Sequence, residues 1–119
     1  MTGDLERGAE GKVILCAANS YEEKYYLNPV FKGLPESIQK ELQIICVLFT
    51  EEIGGLFILE FDEEGNLLIR TEAEEADYMY DEIGAALMVK VIQKQRMELL
   101  QSLELYYKTV ILGLPLEEA

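Results

Sequence analysis

From about Tyr80 to Leu112 the chain carries apolar residues at helical spacing almost without interruption, and this constrains the fold most. Ile83, Leu87 and Val91 form one early stripe. Met88, Ile92, Leu99, Leu103, Tyr106 and Val110 continue a second, advancing by three or four residues at most steps with Gln95 filling the gap. At a rise of 1.5 Å per residue such a helix would be about 50 Å long, whereas a domain of this size is only about 30 Å across. The helix must therefore protrude, break, or pack against a second copy. Gly113 and Pro115 supply its stop.

The preceding elements are shorter. LFILEF (56–61) and LLIRT (67–71) flank DEEGN, a Gly- and Asn-containing loop that predicts a β-hairpin with a five-residue turn at 62–66. Alternation puts Phe57, Leu59 and Phe61 on one face, and Ile58 and Glu60 on the other. The pairing brings Glu60 near Arg70 as a cross-strand ion pair. Pro35 and Glu36 suit a helix start, and Ile38, Leu42, Ile45 and Phe49 continue its face. Beyond Ile44 the polar side vanishes, so 44–50 reads equally as buried helix or as strand. Gly54-Gly55 ends it as a turn.

Segment 12–18, KVILCAA, tilts toward strand through its β-branched Val13 and Ile14. Ser20 and Glu23 have capping-box spacing, which predicts a short helix over YEEKYYL (21–27) stopping before Asn28-Pro29. Residues 1–11 read as a loose arm, and 12–119 as one domain. The expected class is α+β: a β-hairpin, with 12–18 available as a third strand at its edge, packed against helices and ending in one long amphipathic C-terminal helix.

The sequence has 119 residues, a net charge of −13 and no histidine. The charge opposes nucleic-acid phosphates and anionic membrane surfaces, so neither is an expected partner. Absence of histidine removes His-based triads and His-containing zinc sites; two cysteines cannot make a four-Cys site. No glycine-rich phosphate loop or CxxC occurs. Cys16 and Cys46 sit in the apolar surroundings VILCAA and IICVLF and read as buried thiols of a reducing cytoplasm. Asp4 and Glu6, ahead of any apolar stretch, do not make a secretory signal, and no apolar run approaches the roughly eighteen residues of a membrane span.

Two groups of residues stand out as surface candidates. The acids Glu60, Asp62, Glu63, Glu64, Glu74 and Asp77 form a prospective acidic patch, expected to crowd one end of the hairpin and the entry to the long helix. DEEGN departs from the calcium-loop pattern because its glycine comes too early. Tyr21, Tyr25, Tyr106, Leu99 and Leu103 form a prospective interaction surface, since tyrosine combines an apolar ring with a wet hydroxyl. The reading favoured is a noncatalytic interaction or structural domain with an acidic surface. It would self-associate through the long helix, where Lys90, Lys94, Arg96 and Lys108 can meet another copy's acids, or bind a basic protein. A small-molecule-binding domain or minor enzyme using carboxylates and tyrosines, and a divalent-cation-responsive module, are the alternatives. No cofactor is expected.

The stretches CAANSYEEKYYLNPVFKGLP, ELQIICVLFTEEIGG and LEFDEEGNL, with YDEIG and SLELYY later, resemble a family of small uncharacterised proteins from anaerobic Gram-positive bacteria. The resemblance covers most of the chain beyond residue 12. It implies a bacterial cytoplasmic setting and assigns no activity, cofactor or catalytic residue.

Overall fold

The computed structural model describes residues 11–115; the expected arm at 1–11 lies outside them apart from Gly11. Four strands form one antiparallel sheet: β1 (Val13–Asn19), β2 (Lys24–Leu27), β3 (Leu56–Phe61) and β4 (Leu67–Glu72), in the order β2-β1-β3-β4. Among the described residues three α-helices accompany it: α1 (Glu36–Glu52), α2 (Glu82–Gln95) and α3 (Met97–Tyr106).

The helix expected over 21–27 is instead the return strand β2. Asn19 decides this locally: its Oδ1 accepts the backbone N–H groups of Tyr21 at 2.9 Å and Glu22 at 3.2 Å. That closes a turn at the end of β1, and Glu23, at φ 54°, completes the reversal. Lys24–Leu27 then pairs with β1 from Asn19↔Lys24 to Cys16↔Leu27. Tyr25 and Leu27 face the core at strand spacing. The tyrosine-rich segment thus obeys a period of two, and the capping spacing of Ser20 and Glu23 goes unused.

β1 carries a bulge. Ile14 opposes Glu60 and Cys16 opposes Leu59, which leaves Leu15 without a partner on β3. Buried Asn28 secures the bulge from the far side. Its backbone N–H donates to the Leu15 carbonyl at 3.0 Å, and its Nδ2 donates to the Ile14 carbonyl at 2.8 Å. Its Oδ1 accepts from Val30 N, opening the 3-10 turn Pro29–Phe31.

Residues 44–50 are helical, inside α1. The helix buries Leu42, Ile45, Cys46 and Phe49, of which Leu42, Ile45 and Phe49 are each worth about 2 kcal/mol as apolar burial. Ile44 and Leu48 remain exposed on its back, which explains the loss of polar residues there. Gly54 and Gly55 both have positive φ. A Cβ on Gly55 would collide with the Glu72 carbonyl oxygen and the Tyr80 ring, so the tight turn into β3 requires glycine.

The single long helix expected over 80–112 is two helices. The chain breaks at Arg96, at φ −113° and ψ 25°, and the Arg96 guanidinium pairs with Glu41 on α1. A continuous helix would outrun even the longest dimension of the molecule, 46 Å. After the break, α3 turns back onto the sheet, where Glu104 Oε2 accepts the Leu67 N–H at 2.7 Å. A π-helical turn, Tyr107–Ile111, follows and gives way to Gly113 at φ 71°.

The core lies on one face of the sheet. Cys16, Ala18, Phe57, Leu59 and Phe61 meet Leu42, Ile45, Cys46 and Phe49 of α1, Ala85 of α2 and Leu103 of α3. The opposite face carries Ile14, Ala17, Ile58, Leu68, Glu60 and Arg70, as the cross-strand register dictates.

Candidate functional site

The four most exposed large apolar residues among those described, Tyr78, Met79, Ile83 and Leu87, lie on α2 and the segment that leads into it, and Val91 continues their line. Ile83, Leu87 and Val91 are 75%, 60% and 45% exposed, and Tyr78 and Met79 just before them are both 90% exposed. Helical geometry explains the arrangement. Ala85, Met88, Val89 and Ile92 face the core. Residues 83, 87 and 91, spaced by four, occupy the opposite side of the same helix. α2 is therefore apolar on both faces, unlike an ordinary surface helix.

The segment 73–81 is pinned so that this face is presented outward. The Tyr21 hydroxyl donates to Asp77 Oδ2 at 2.6 Å and accepts the Glu74 N–H at 3.0 Å. That hydrogen bond to Asp77 is the main cause holding the Tyr21 phenol above its ordinary pKa. Tyr80 points inward: its ring lies against Gly55, and its hydroxyl is buried without a hydrogen-bond partner among the described residues. Asp81 caps α2, its Oδ1 accepting the Gly84 N–H at 2.9 Å. Tyr78 and Met79, between these anchors, are left outside.

Charge along α2 is ordered. Asp77, Asp81 and Glu82 stand at its N-terminal end, and Lys90 and Lys94 along its C-terminal half. Both lysines are exposed, and by helical phase they lie on the same side of α2 as the stripe of Ile83, Leu87 and Val91. Among the described residues neither lysine forms an ion pair. Beside the acidic end a hollow of about 530 Å³ is lined by Glu72, Glu74, Glu75, Asp77 and Glu82 with Tyr80 at its back.

The acids expected to form one patch divide between two ends of the sheet. Asp62, Glu63 and Glu64 lie in the β3–β4 turn, whereas Glu74 and Asp77 lie beyond the far end of β4, beside Tyr21. Six-residue strands separate the two groups by about 17–20 Å. Asp62 serves its own turn. Burial pushes its carboxyl up, but hydrogen bonds from Asn66, Glu64 and Gly65 outweigh that and hold it below the ordinary value. Glu60 belongs to neither group. It is 2% exposed, and its two carboxylate oxygens receive Arg70 Nε at 3.0 Å and Nη2 at 3.2 Å. Among the described residues no group of three or more His, Cys, Asp or Glu side chains is placed to hold a metal ion.

The tyrosine and leucine candidates are engaged within the chain. Leu103 is buried, and Tyr25, Leu99 and Tyr106 are half-buried against the core. Tyr21 is half-buried and bonded to Asp77. The stripe that includes Leu99, Leu103 and Tyr106 is thus the one that packs on the sheet. The stripe Ile83-Leu87-Val91, visible in the sequence but not singled out as a surface, is the one left open. Its adjacency to Tyr78 and Met79, apolar residues embedded in a run of acids, is the signal that could have marked it.

A groove of about 580 Å³ lies between α1 and the β1–β2 turn, lined by Ala18, Lys24, Tyr25, Gln43, Val47 and Thr50 among others. Tyr25 is its inner wall. Burial is the first cause driving the Tyr25 phenol pKa far up, with the Cys16 and Cys46 thiols beside it.

No helix among the described residues is long and apolar enough to cross a membrane. No curated protein and no solved structure matches the chain. Residues 12–115 match a family of unknown function, DUF6145, and the chain belongs to that family.

Proposed function

We propose that this protein is a noncatalytic interaction domain that self-associates through α2. The observation that carries the reading is the open stripe of Ile83, Leu87 and Val91, extended by Tyr78 and Met79. Contiguous exposed apolar surface rimmed by charge is the usual mark of a docking surface.

Its charge order selects a second copy as the occupant. Two α2 helices crossing antiparallel about a two-fold axis at Leu87 set Ile83 of each against Val91 of the other. The same register lays the half of each helix that carries Lys90 and Lys94 along the acidic N-terminal end of its mate, where Asp81 and Glu82 stand. The surface is thereby complementary to itself, as an isologous dimer requires. A parallel pairing would instead stack like charges.

A basic protein segment is the second reading, favoured by the five carboxylates around the hollow beside Tyr80. The setting we propose is cytoplasmic, in keeping with two free, buried thiols.

Sedimentation equilibrium over a micromolar concentration series tests the reading. The wild type is expected to shift from monomer to dimer, while Leu87→Asp stays monomeric with unchanged circular dichroism. A wild type that remains monomeric into the hundreds of micromolar overturns it.

A further inference from the structure

Cys16 projects from β1 and Cys46 from α1, and their sulfurs lie 3.6 Å apart. Both are free thiols and both residues are fully buried. A disulfide is about 2.05 Å long, so closure needs an approach of about 1.5 Å. The interaction surface proposed above uses neither residue.

The groove between α1 and the β1–β2 turn runs toward this pair. Its lining includes Ala18, two residues beyond Cys16 on the same face of β1, and Val47 and Thr50, one and four residues beyond Cys46 on α1. Tyr25 stands between groove and sulfurs. Its hydroxyl is buried beside the Cys16 thiol. Tyr25, half-buried between the groove and the thiols, is the side chain that must swing aside for a small molecule to reach them.

We propose that Cys16 and Cys46 are an oxidation site, which a small peroxide reaches through the groove past Tyr25 and converts to an intramolecular disulfide. One sulfur attacks a peroxide oxygen; the O–O bond breaks, giving a sulfenic acid and one water. The second sulfur then attacks the sulfenic sulfur; the S–O bond breaks, the S–S bond forms and a second water leaves. Two thiols lose two electrons, and the peroxide is reduced to two waters. The bond would tie α1 to β1 across the sequence between residues 16 and 46.

The test treats the full, folded chain with millimolar hydrogen peroxide. The reaction is quenched, and the protein is denatured, alkylated with N-ethylmaleimide and weighed intact. The expected product is a monomer that has lost two hydrogens and takes up no alkylating agent, with the Cys16 and Cys46 peptides linked. Its thermal midpoint should rise by several degrees and return with reductant. Doubly alkylated protein, oxygen added to one cysteine without linkage, or disulfide-linked dimers would each overturn the proposal. Tyr25→Ala, checked for folding, should close the bond several-fold faster; an unchanged rate overturns the assigned route of entry.

Discussion

The rings of Phe61 and Tyr107 stack with centroids 4.0 Å apart and planes only 4° from parallel. Phe31 joins them, with centroids 5.7 Å from Phe61 and 6.1 Å from Tyr107. Three distant parts of the sequence therefore share one aromatic cluster: the 3-10 turn, the end of β3 and the π-helical turn after α3. The last helical segment is fastened to the sheet by this cluster and by the bond from Leu67 N–H to Glu104. Tyr107→Ala should cost about 3–5 kcal/mol by chemical denaturation, in the range of large aromatic truncations in cores. A loss under about 1 kcal/mol would mean that this segment is not part of the cooperative core.

Glu60 and Arg70 make a different prediction. The carboxylate is 2% exposed, while the Arg70 side chain is 36% exposed and also pairs with Glu72. Arg70→Met strands a buried charge and should cost about 2–4 kcal/mol, below the full cost of breaking a buried pair because water reaches the arginine side. Adding Glu60→Leu should recover most of the loss. Thermal melts of the two singles and the double variant measure this coupling; strictly additive losses would contradict it.

The hairpin, the start of α1, the glycine turn and the α+β class are legible because each rests on local chemistry. The turn needs Gly65 and Asp62, and helix entry suits Pro35. What fails is what depends on distant partners. Residues 21–27 carry a capping pattern, yet Asn19 turns the chain and β1 offers Tyr25 and Leu27 a sheet edge. No glycine or proline marks the break at Arg96, which coincides with a tertiary ion pair to Glu41. Sequence proximity groups the acids, but a hairpin sends neighbours such as Glu64 and Glu74 to opposite ends. α2 offers two apolar stripes, and only the packed structure decides that Met88 and Ile92 turn inward while Leu87 turns outward.

Stability should fall at alkaline pH. Hydrogen bonding to Cys16, then burial, holds Cys46 well above its ordinary 9.0. Burial raises Tyr25, and the Asp77 bond raises Tyr21, above 10.0. Above the ordinary values the unfolded chain releases protons that the folded chain keeps, so the unfolded state gains and stability declines as pH rises. These groups leave stability flat from pH 7 to about 8 and lower it from about 9 upward. Urea midpoints across that range check the slope. Tyr25→Phe should flatten the part above about pH 10; an identical slope would show that Tyr25 ionises freely in the folded chain.

Charge exchange probes the proposed dimer. Lys90 and Glu82 are both exposed, so reversing either should change monomer stability by less than about 0.5 kcal/mol. Lys90→Glu should weaken self-association about tenfold at low salt. Combining it with Glu82→Lys restores the opposite charge of the two facing helix ends and should recover part of the affinity. Sedimentation velocity on the set reads the constants, and a double variant weaker than either single would argue against the antiparallel register.

The most direct measurement is cross-linking at the two-fold axis. In the proposed dimer residue 87 meets its own copy, whereas residue 93 lies toward the other side of α2. Leu87→Cys, treated with a short bismaleimide under native conditions, should give a covalent species of twice the 13.5 kDa chain mass. Gln93→Cys should remain monomeric under the same conditions. Equal cross-linking at both positions, or none at residue 87 at concentrations where the wild type sediments as a dimer, would contradict pairing through the Ile83-Leu87-Val91 face.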